Sequence, residues 1–177
     1  MTDNRAPDAY GLLIEPTTLF IQRLLPGPIE RVWSFLTQSD LRRRWLASGD
    51  MELKAGAPFT LTWRNDRLTN PPGTRPEGFG EEHSMESRIT VCNPPCELAF
   101  TWGAGDVSIA LEEKGAKVLL SLTHRRIVER SSRVMIGAGW HAHLDILACR
   151  VAGEEPATPF WDGWLLLRQA YDQRLPD

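Results

Sequence analysis

Hydrophobic positions recur with two different periods along the chain, and the change of period separates a sheet from its helices. Between residues 57 and 125, apolar residues alternate with polar ones, which is typical of strands with one buried face. Short turns at residues 93–95 and 103–106 separate these strands, so the pattern predicts an antiparallel meander. The expected inward positions are Ala57, Phe59, Leu61, Trp63, Met85, Ser87, Ile89, Val91, Leu98, Phe100, Trp102, Val107, Ile109, Leu111, Val118, Leu120, Leu122 and His124.

Before this region, the chain predicts one strand and two short helices. The strand is the apolar run at residues 17–25. Pro28 suits the first position of the helix that follows, because the missing N–H of proline costs nothing there. The second helix is expected from Asp40 to Leu46, with Ser39 as its N-terminal cap.

After the meander, the period becomes helical. A stripe of apolar residues predicts a long helix that Ser131 or Ser132 caps and that Gly153 ends near Ala152. The stripe consists of Ile136, Trp140, Leu144, Leu147 and Val151. A final helix is expected after Thr158 and Pro159, with one face formed by Phe160, Trp164, Leu167 and Tyr171.

This order of elements predicts an α+β fold. A curved antiparallel sheet of about six strands would wrap around the long C-terminal helix, with two short helices after the first strand. The 177 residues fit one domain. Within that domain, residues 1–16 are expected to form an N-terminal extension and residues 156–174 an additional helix.

The composition indicates which partners and which cellular compartment to expect. The net charge of −3 carries no basic bias, which argues against nucleic-acid partners. The longest apolar runs are far below the roughly 20 residues that a membrane span needs, and residues 1–11 show no signal peptide. The three cysteines form an odd, sparse set that is typical of a reducing compartment. We therefore expect a cytoplasmic protein without a membrane span.

Three stretches of the sequence resemble the SRPBCC superfamily, which has the START or birch-pollen-allergen-like helix-grip fold. They are residues 20–33 continuing to Leu41 and Trp45, residues 51–59, and residues 139–145. Together these stretches are similar to the subgroup of activator of heat-shock-protein ATPase homologues. The resemblance implies a helix-grip fold, and it implies a hydrophobic small molecule held between the sheet and the long helix. Through the subgroup, it also implies a chaperone as an alternative partner.

The sharpest candidates for chemistry are His141 and Asp145, which lie four residues apart on one helical face and can pair. A buried histidine–aspartate pair could act as a general base. The alternative is a polar helix surface or cavity rim without chemistry. His143 lies to the side of this pair. One His-x-His with a stray aspartate lacks the ligand set of a metal site, so no metal is expected.

Two further clusters are expected to be structural. Cys92 and Cys96 flank a proline turn without a second ligand pair, so ordinary thiols are expected there. The run Arg42, Arg43 and Arg44 is expected on a solvated helix face, with a surface for an acidic partner as the alternative.

Aromatic side chains suggest where a ligand would bind. A cavity between sheet and helix would be lined by Phe59, Leu61, Trp63, Met85, Ile89, Phe100, Trp102, His124, Trp140 and Leu144. His124 would be either the polar anchor of this cavity or a satisfied core histidine. The long loop at residues 65–82 would be either a semi-rigid lid over the cavity or a surface excursion without a role.

Binding of a hydrophobic small molecule, a lipid or an aromatic compound, is the function that these features favour, with no cofactor and no assigned chemistry. One alternative is a co-chaperone-like activator of a heat-shock ATPase. The second alternative is a cyclase or hydrolase that uses His141 and Asp145 in the same cavity.

Overall fold

The computed structural model describes residues 7–177, and in these residues seven strands form one curved antiparallel sheet. The order of strands across the sheet is β1-β2-β7-β6-β5-β4-β3, so β1 and β3 are its edges. The strands are β1 (Leu12–Glu15), β2 (Thr18–Pro26), β3 (Pro58–Trp63), β4 (His83–Asn93), β5 (Glu97–Trp102), β6 (Gly105–Lys114) and β7 (Lys117–Arg125).

Within the described residues, four α-helices accompany the sheet. They are α1 (Ile29–Thr37), α2 (Ser39–Arg42), α3 (Arg130–Ala152) and α4 (Phe160–Arg174). The long helix α3 packs against β2, α1 and α4, and it ends at Gly153 in the left-handed region with a φ of 74°. The predicted α+β helix-grip fold, with short helices after the first strands and a long C-terminal helix, is therefore confirmed.

The period of two in the sequence corresponds to one buried sheet face. On β5, β6 and β7 every predicted apolar inward position is buried or packs on the core. Removing one such side chain from water contributes about 1.5–3 kcal/mol to the free energy of unfolding. The inner face of the sheet and the helix α3 therefore share one hydrophobic core.

The strand β4 departs from the predicted alternation near its end. A register shift between Ile89 and Val91 interrupts its pairing with β5. Beyond this bulge, Val91 is 39% exposed and Cys92 packs against the core instead. The prediction that Val91 points inward was wrong, because one extra residue in a bulge reverses the facing of the residues after it.

An additional edge strand explains why the sheet has seven strands rather than about six. Residues 12–15, within the expected N-terminal extension, form β1 and pair with β2. Leu12 and Ile14 remain 51% and 53% exposed, so this strand contributes little to the core and left a weak sequence signal. Residues 1–6 of the expected extension lie outside the described residues.

The second helix is shorter than predicted, because Arg42 is buried rather than solvated. The helix α2 ends at Arg42, and turns replace the expected helix up to Leu46. The Arg42 side chain is 2% exposed, and its guanidinium donates to four backbone carbonyls, those of Leu36, Thr37, Ala47 and Gly49. Carbonyls at a helix end need such donors. Arg43 and Arg44 are exposed, as predicted.

Helix capping also differs from the prediction. The long helix α3 begins at Arg130 after Glu129, without a side-chain cap from Ser131 or Ser132. The hydroxyl of Ser39 accepts a hydrogen bond from the Gly49 N–H at 2.8 Å instead of capping α2. The final helix begins at Phe160, after Pro159. Tertiary packing, rather than local capping, therefore fixes where these helices start.

Candidate functional site

A cavity of about 430 Å³ lies between one end of the sheet, the first half of α3 and the start of α4. This volume is within the range of small-molecule sites, which is roughly 300–1,000 Å³. Five of the seven tryptophans line it. The complete lining is Leu46, Trp63, Asn65, Gly78, Phe79, Gly80, Glu81, Glu82, His83, Met85, Trp102, Met135, Ile136, Gly139, Trp140, His143, Phe160, Trp161 and Trp164.

Two aromatic clusters form much of the cavity wall. One joins the sheet to α3: the Trp102 ring lies 5.3 Å from Trp63 and 5.4 Å from Trp140, measured between ring centroids. In the other, Phe79 lies 5.4 Å from Trp161 and 5.2 Å from Trp164. Such edge-to-face and tilted pairs hold the rings in defined positions, so both walls offer fixed flat apolar surfaces.

His143 is the buried polar side chain of the cavity wall. Its ring is 6% exposed, packs on Phe160 at 5.0 Å and makes a 2.8 Å hydrogen bond through Nδ1 to the carbonyl of Trp45. Burial lowers the pKa of His143 to about 4, and the hydrogen bond to Trp45 opposes this shift only in part. His143 is therefore neutral at physiological pH.

His124 lies behind the cavity wall rather than in it. The indole N–H of Trp140 donates to Nδ1 of His124 at 3.0 Å, and the histidine is 2% exposed. Burial lowers the pKa of His124 to about 4, against the opposing charge of Asp106. Of its two predicted roles, this geometry matches the satisfied core histidine.

The structure brings four of the ten predicted cavity residues together at this cavity: Trp63, Met85, Trp102 and Trp140. Three others, Phe59, Leu61 and Phe100, border a separate void of about 10 Å³, which is too small for a ligand. Ile89 and Leu144 have no exposed surface and belong to the packed core.

Sequence reasoning missed the half of the cavity that α4 and the preceding loop provide. The sequence pattern places Phe160 and Trp164 on one face of the last helix and Phe79 in the long loop, and it marks neither these residues nor Trp161 as part of a cavity. The paired tryptophans of α4 were the available signal. His143 was missed because α3 is buried on several sides, so its apolar stripe does not identify the face that meets the cavity.

His141 and Asp145 do pair, but they do not line the cavity. The Nε2 atom of His141 lies 3.4 Å from Oδ2 of Asp145, and Nδ1 lies 2.9 Å from the Tyr171 hydroxyl. Arg23 of β2 makes an ion pair with Asp145 at 3.0 Å. The pair therefore faces β2 and α4, on a different side of α3 from the aromatic walls.

The contacts of this pair hold structural elements together. The Tyr171 hydroxyl accepts a 2.7 Å hydrogen bond from the Gly11 N–H, which ties the start of the sheet to α4. Burial raises the pKa of Tyr171 to about 12. Burial also acts to raise the pKa of Asp145, but the hydrogen bond from His141 and the charge of Arg23 outweigh it and leave that pKa below its usual value.

The long loop divides into a fastened part and a part at the cavity. Thr69 and Pro72 accept hydrogen bonds from the N–H groups of Phe160 and Trp161, at 2.9 and 3.0 Å, and Asp66 accepts one from the Trp161 indole at 2.8 Å. Residues 78–82, which we call the mouth segment, line the cavity. Residues 66–74 are therefore a structural brace of α4, and only the mouth segment has the position expected of a lid.

The charges at the cavity mouth are paired. Glu81 and Glu82 lie at the exposed side of the cavity. Glu81 makes an ion pair with Arg75, and Glu82 makes one with Arg64. No lining residue within the described chain is lysine or arginine. Across residues 7–177, no three His, Cys, Asp or Glu side chains are grouped to hold a metal ion. None of the helices in that part of the chain combines the length and apolar character of a bilayer span.

The family model of the activator of Hsp90 ATPase homolog 1-like proteins matches residues 26–152. A protein from Bordetella parapertussis, solved by solution NMR, is 37% identical, with 100% of this chain and 97% of that chain covered and a TM-score of 0.79. A comparison with curated proteins finds no match.

Two more distant solved structures share the fold. The CalU16 protein from Micromonospora echinospora is 23% identical, with 88% of this chain and 86% of that chain covered and a TM-score of 0.63. A conserved protein of unknown function from Enterococcus faecalis is 18% identical, with 93% of this chain and 88% of that chain covered and a TM-score of 0.68. At these identities, the similarity supports the architecture alone.

Proposed function

The chain belongs to the family of activator of Hsp90 ATPase homolog 1-like proteins, and from that premise we propose that it binds a hydrophobic small molecule. The observation that carries this proposal is the 430 Å³ cavity with its two aromatic walls. Apolar cavities of this size with few polar groups are typical of ligand sites. The free state of all three cysteines is compatible with the cytoplasmic location that forms part of the proposal.

Catalysis by His141 and Asp145 is a weaker proposal than binding. Neither residue lines the cavity, and their contacts with Arg23 and Tyr171 occupy the polar atoms that a reaction would use. Activation of a heat-shock ATPase follows from the family name, and no surface feature of residues 7–177 favours it over ligand binding.

Mass spectrometry of the native protein tests the proposal. The expected result is a co-purified organic compound that dissociates on denaturation. Isothermal titration calorimetry with 2-methoxynaphthalene provides a second measurement, because this probe is flat, neutral and apolar. We expect saturable binding with a negative heat-capacity change, which marks burial of apolar surface.

Gly139 offers a variant that fills the cavity without disturbing the fold. It lies in α3 and lines the cavity, and a Cβ placed on it would meet no atom within 4 Å. Gly139→Leu should abolish probe binding, whereas the matched control Gly139→Ala should retain it. If neither a co-purified compound nor binding of 2-methoxynaphthalene is found in the wild type, the proposed function is wrong.

A further inference from the structure

The hydrogen bond between His143 and Trp45 fixes the tautomer of the imidazole ring. A backbone carbonyl can only accept, so Nδ1 of His143 must carry the proton. Because the buried ring is neutral, Nε2 then carries a lone pair and no proton. The structure thus provides a hydrogen-bond acceptor on a ring that belongs to the cavity wall.

No protein group in the part of the chain that the structure describes uses this acceptor. Among residues 7–177, Nε2 of His143 has no hydrogen-bond partner. In this part of the chain, two side-chain polar atoms are both fully enclosed and unpaired, Oδ1 of Asn65 and Nε of Arg133. Nε2 of His143 is not one of them. The atom is therefore accessible, and the space beside this lining residue is the cavity. Asn65 also lines the cavity, but its unpaired oxygen is fully enclosed and so does not meet the ligand.

An unsatisfied acceptor in an apolar site selects for a ligand that brings a donor. A ligand without a donor would cover this acceptor and leave it unpaired, which costs about 1–3 kcal/mol of binding free energy. A hydroxyl or N–H group on the ligand removes that cost. The lack of a lysine or arginine in the lining disfavours carboxylates such as fatty acids, because no lining cation would pair with their charge. The fixed aromatic walls favour flat rings over flexible chains.

We propose that the ligand is a neutral aromatic compound with a hydroxyl or N–H group, and that this group donates a hydrogen bond to Nε2 of His143. This inference rests on the proposed function, since it names the ligand class of the same cavity. It assigns His143 as the residue that determines specificity, and it excludes anionic lipids as preferred ligands.

Three naphthalene probes, measured by isothermal titration calorimetry at neutral pH, separate the two proposals. 2-Naphthol carries a donor, 2-methoxynaphthalene carries none, and 2-naphthoate is anionic. We expect 2-naphthol to bind about three- to tenfold more tightly than 2-methoxynaphthalene, although the methoxy compound is the more apolar of the two. 2-Naphthoate should bind most weakly.

Two substitutions of His143 assign the preference to Nε2. In His143→Asn, the amide nitrogen can take the position of Nδ1 and keep the hydrogen bond to Trp45, but no atom replaces Nε2. The preference for 2-naphthol should disappear while the melting temperature stays close to that of the wild type. In His143→Gln, the amide oxygen can take the position of Nε2, so part of the preference should return. The control Leu166→Ala, at an exposed position of α4 that does not line the cavity, should keep the full preference.

The outcomes distinguish the two failures. Equal affinity for 2-naphthol and 2-methoxynaphthalene in the wild type, or an unchanged preference in His143→Asn, would overturn the role of His143 and leave the binding function intact. Tighter binding of 2-naphthoate than of the neutral probes would overturn the inferred ligand class. If none of the three probes binds, the inferred ligand class is wrong, and if no compound co-purifies either, the proposed function fails as well.

Discussion

The indole N–H of Trp140 donates to Nδ1 of His124 across 3.0 Å, which joins the long helix to the last strand behind the cavity wall. Trp140 is 3% exposed and His124 is 2% exposed, so neither group can exchange this partner for water. The indole that lines the cavity is therefore held in place by a histidine that does not line it.

Removal of this hydrogen bond should destabilise the protein. Trp140→Phe leaves Nδ1 of His124 without a donor, at a cost of about 1–3 kcal/mol, and Trp140→Ala should cost roughly 3–5 kcal/mol because it also leaves a void. Urea unfolding of Trp140→Phe, His124→Leu and the double variant measures the coupling, which should be about 1 kcal/mol. Strictly additive effects would show that the hydrogen bond contributes nothing.

Two of the three buried histidines should make the protein sensitive to acid. His124 and His143 have a folded pKa of about 4, whereas an unfolded histidine has a pKa near ~6.5. Between these values the unfolded chain binds more protons, so stability is complete above pH ~6.5 and decreases as the pH falls toward about 4. The full loss is on the order of 3 kcal/mol for each histidine.

Stability curves of non-titrating variants measure this effect. His124→Asn keeps an acceptor for Trp140, and His143→Asn keeps a donor for Trp45. Each variant should lose less stability than the wild type between pH 7 and pH 4.5 in urea unfolding. His83→Asn, at an exposed site, should follow the wild-type curve. Parallel curves for all four proteins would contradict the assignment.

Arg42 should be far more sensitive to substitution than its neighbour. Burial lowers the pKa of Arg42 to about 10, so it stays charged at neutral pH, and its guanidinium satisfies four carbonyls. Arg42→Lys leaves most of these carbonyls unpaired and should cost about 2–4 kcal/mol. The matched control Arg43→Lys, on the exposed surface, should change the free energy of unfolding by no more than about 0.5 kcal/mol. Similar melting temperatures for the two variants would refute this role.

The two glycines near the middle of α3 should respond in opposite ways to alanine. A Cβ on Gly139 meets open space, so Gly139→Ala should stabilise the helix by up to about 1 kcal/mol. A Cβ on Gly137 would lie 3.1 Å from the Tyr171 ring, so Gly137→Ala should destabilise by about 1–3 kcal/mol. Thermal unfolding compares the two variants directly. Equal shifts of the melting temperature would show that α4 can move away from α3 at little cost in stability.

Phe79 should control ligand exchange if the mouth segment acts as a lid. Its ring contacts Trp161 and Trp164, whereas residues 66–74 are fastened to α4. Phe79→Ala should raise both the association and the dissociation rate of 2-methoxynaphthalene in stopped-flow fluorescence, with little change in melting temperature. Leu166→Ala, at a 65% exposed position of α4, is the control. Unchanged rates in Phe79→Ala would leave the loop as a brace only.

The sequence predicted the parts of the fold that depend on local periodicity. Leu98, Phe100 and the inward residues of β6 and β7 alternate in the sequence and are buried in the sheet, because a strand places every second side chain on one face. Val91 broke this rule through a bulge, which has no sequence signature in this chain. Arg42 is buried instead of solvated, because the carbonyls that it binds come together only in the folded chain.

The cavity was harder to predict than the fold. Trp63 and Trp102 line it, and their place on the inner face of the sheet follows from the alternation of the strands. Phe59 and Leu61 lie on the same face, yet they are packed against other core residues. Strand parity tells which face a residue occupies, but it does not tell where along that face packing leaves a space. That space depends on how α4 docks, and no local pattern specifies the docking.

The hydrogen bond from the Trp161 indole to Asp66 joins residues that are 95 positions apart in the chain. Every contact between α4 and the loop brace spans a similar distance, so closing this wall of the cavity fixes a very long stretch of chain. Contacts of such long range slow folding, and they form after the local ones. The pairing of β2 with β7 spans a similar number of positions, so the sheet and this wall of the cavity both depend on bringing distant parts of the chain together.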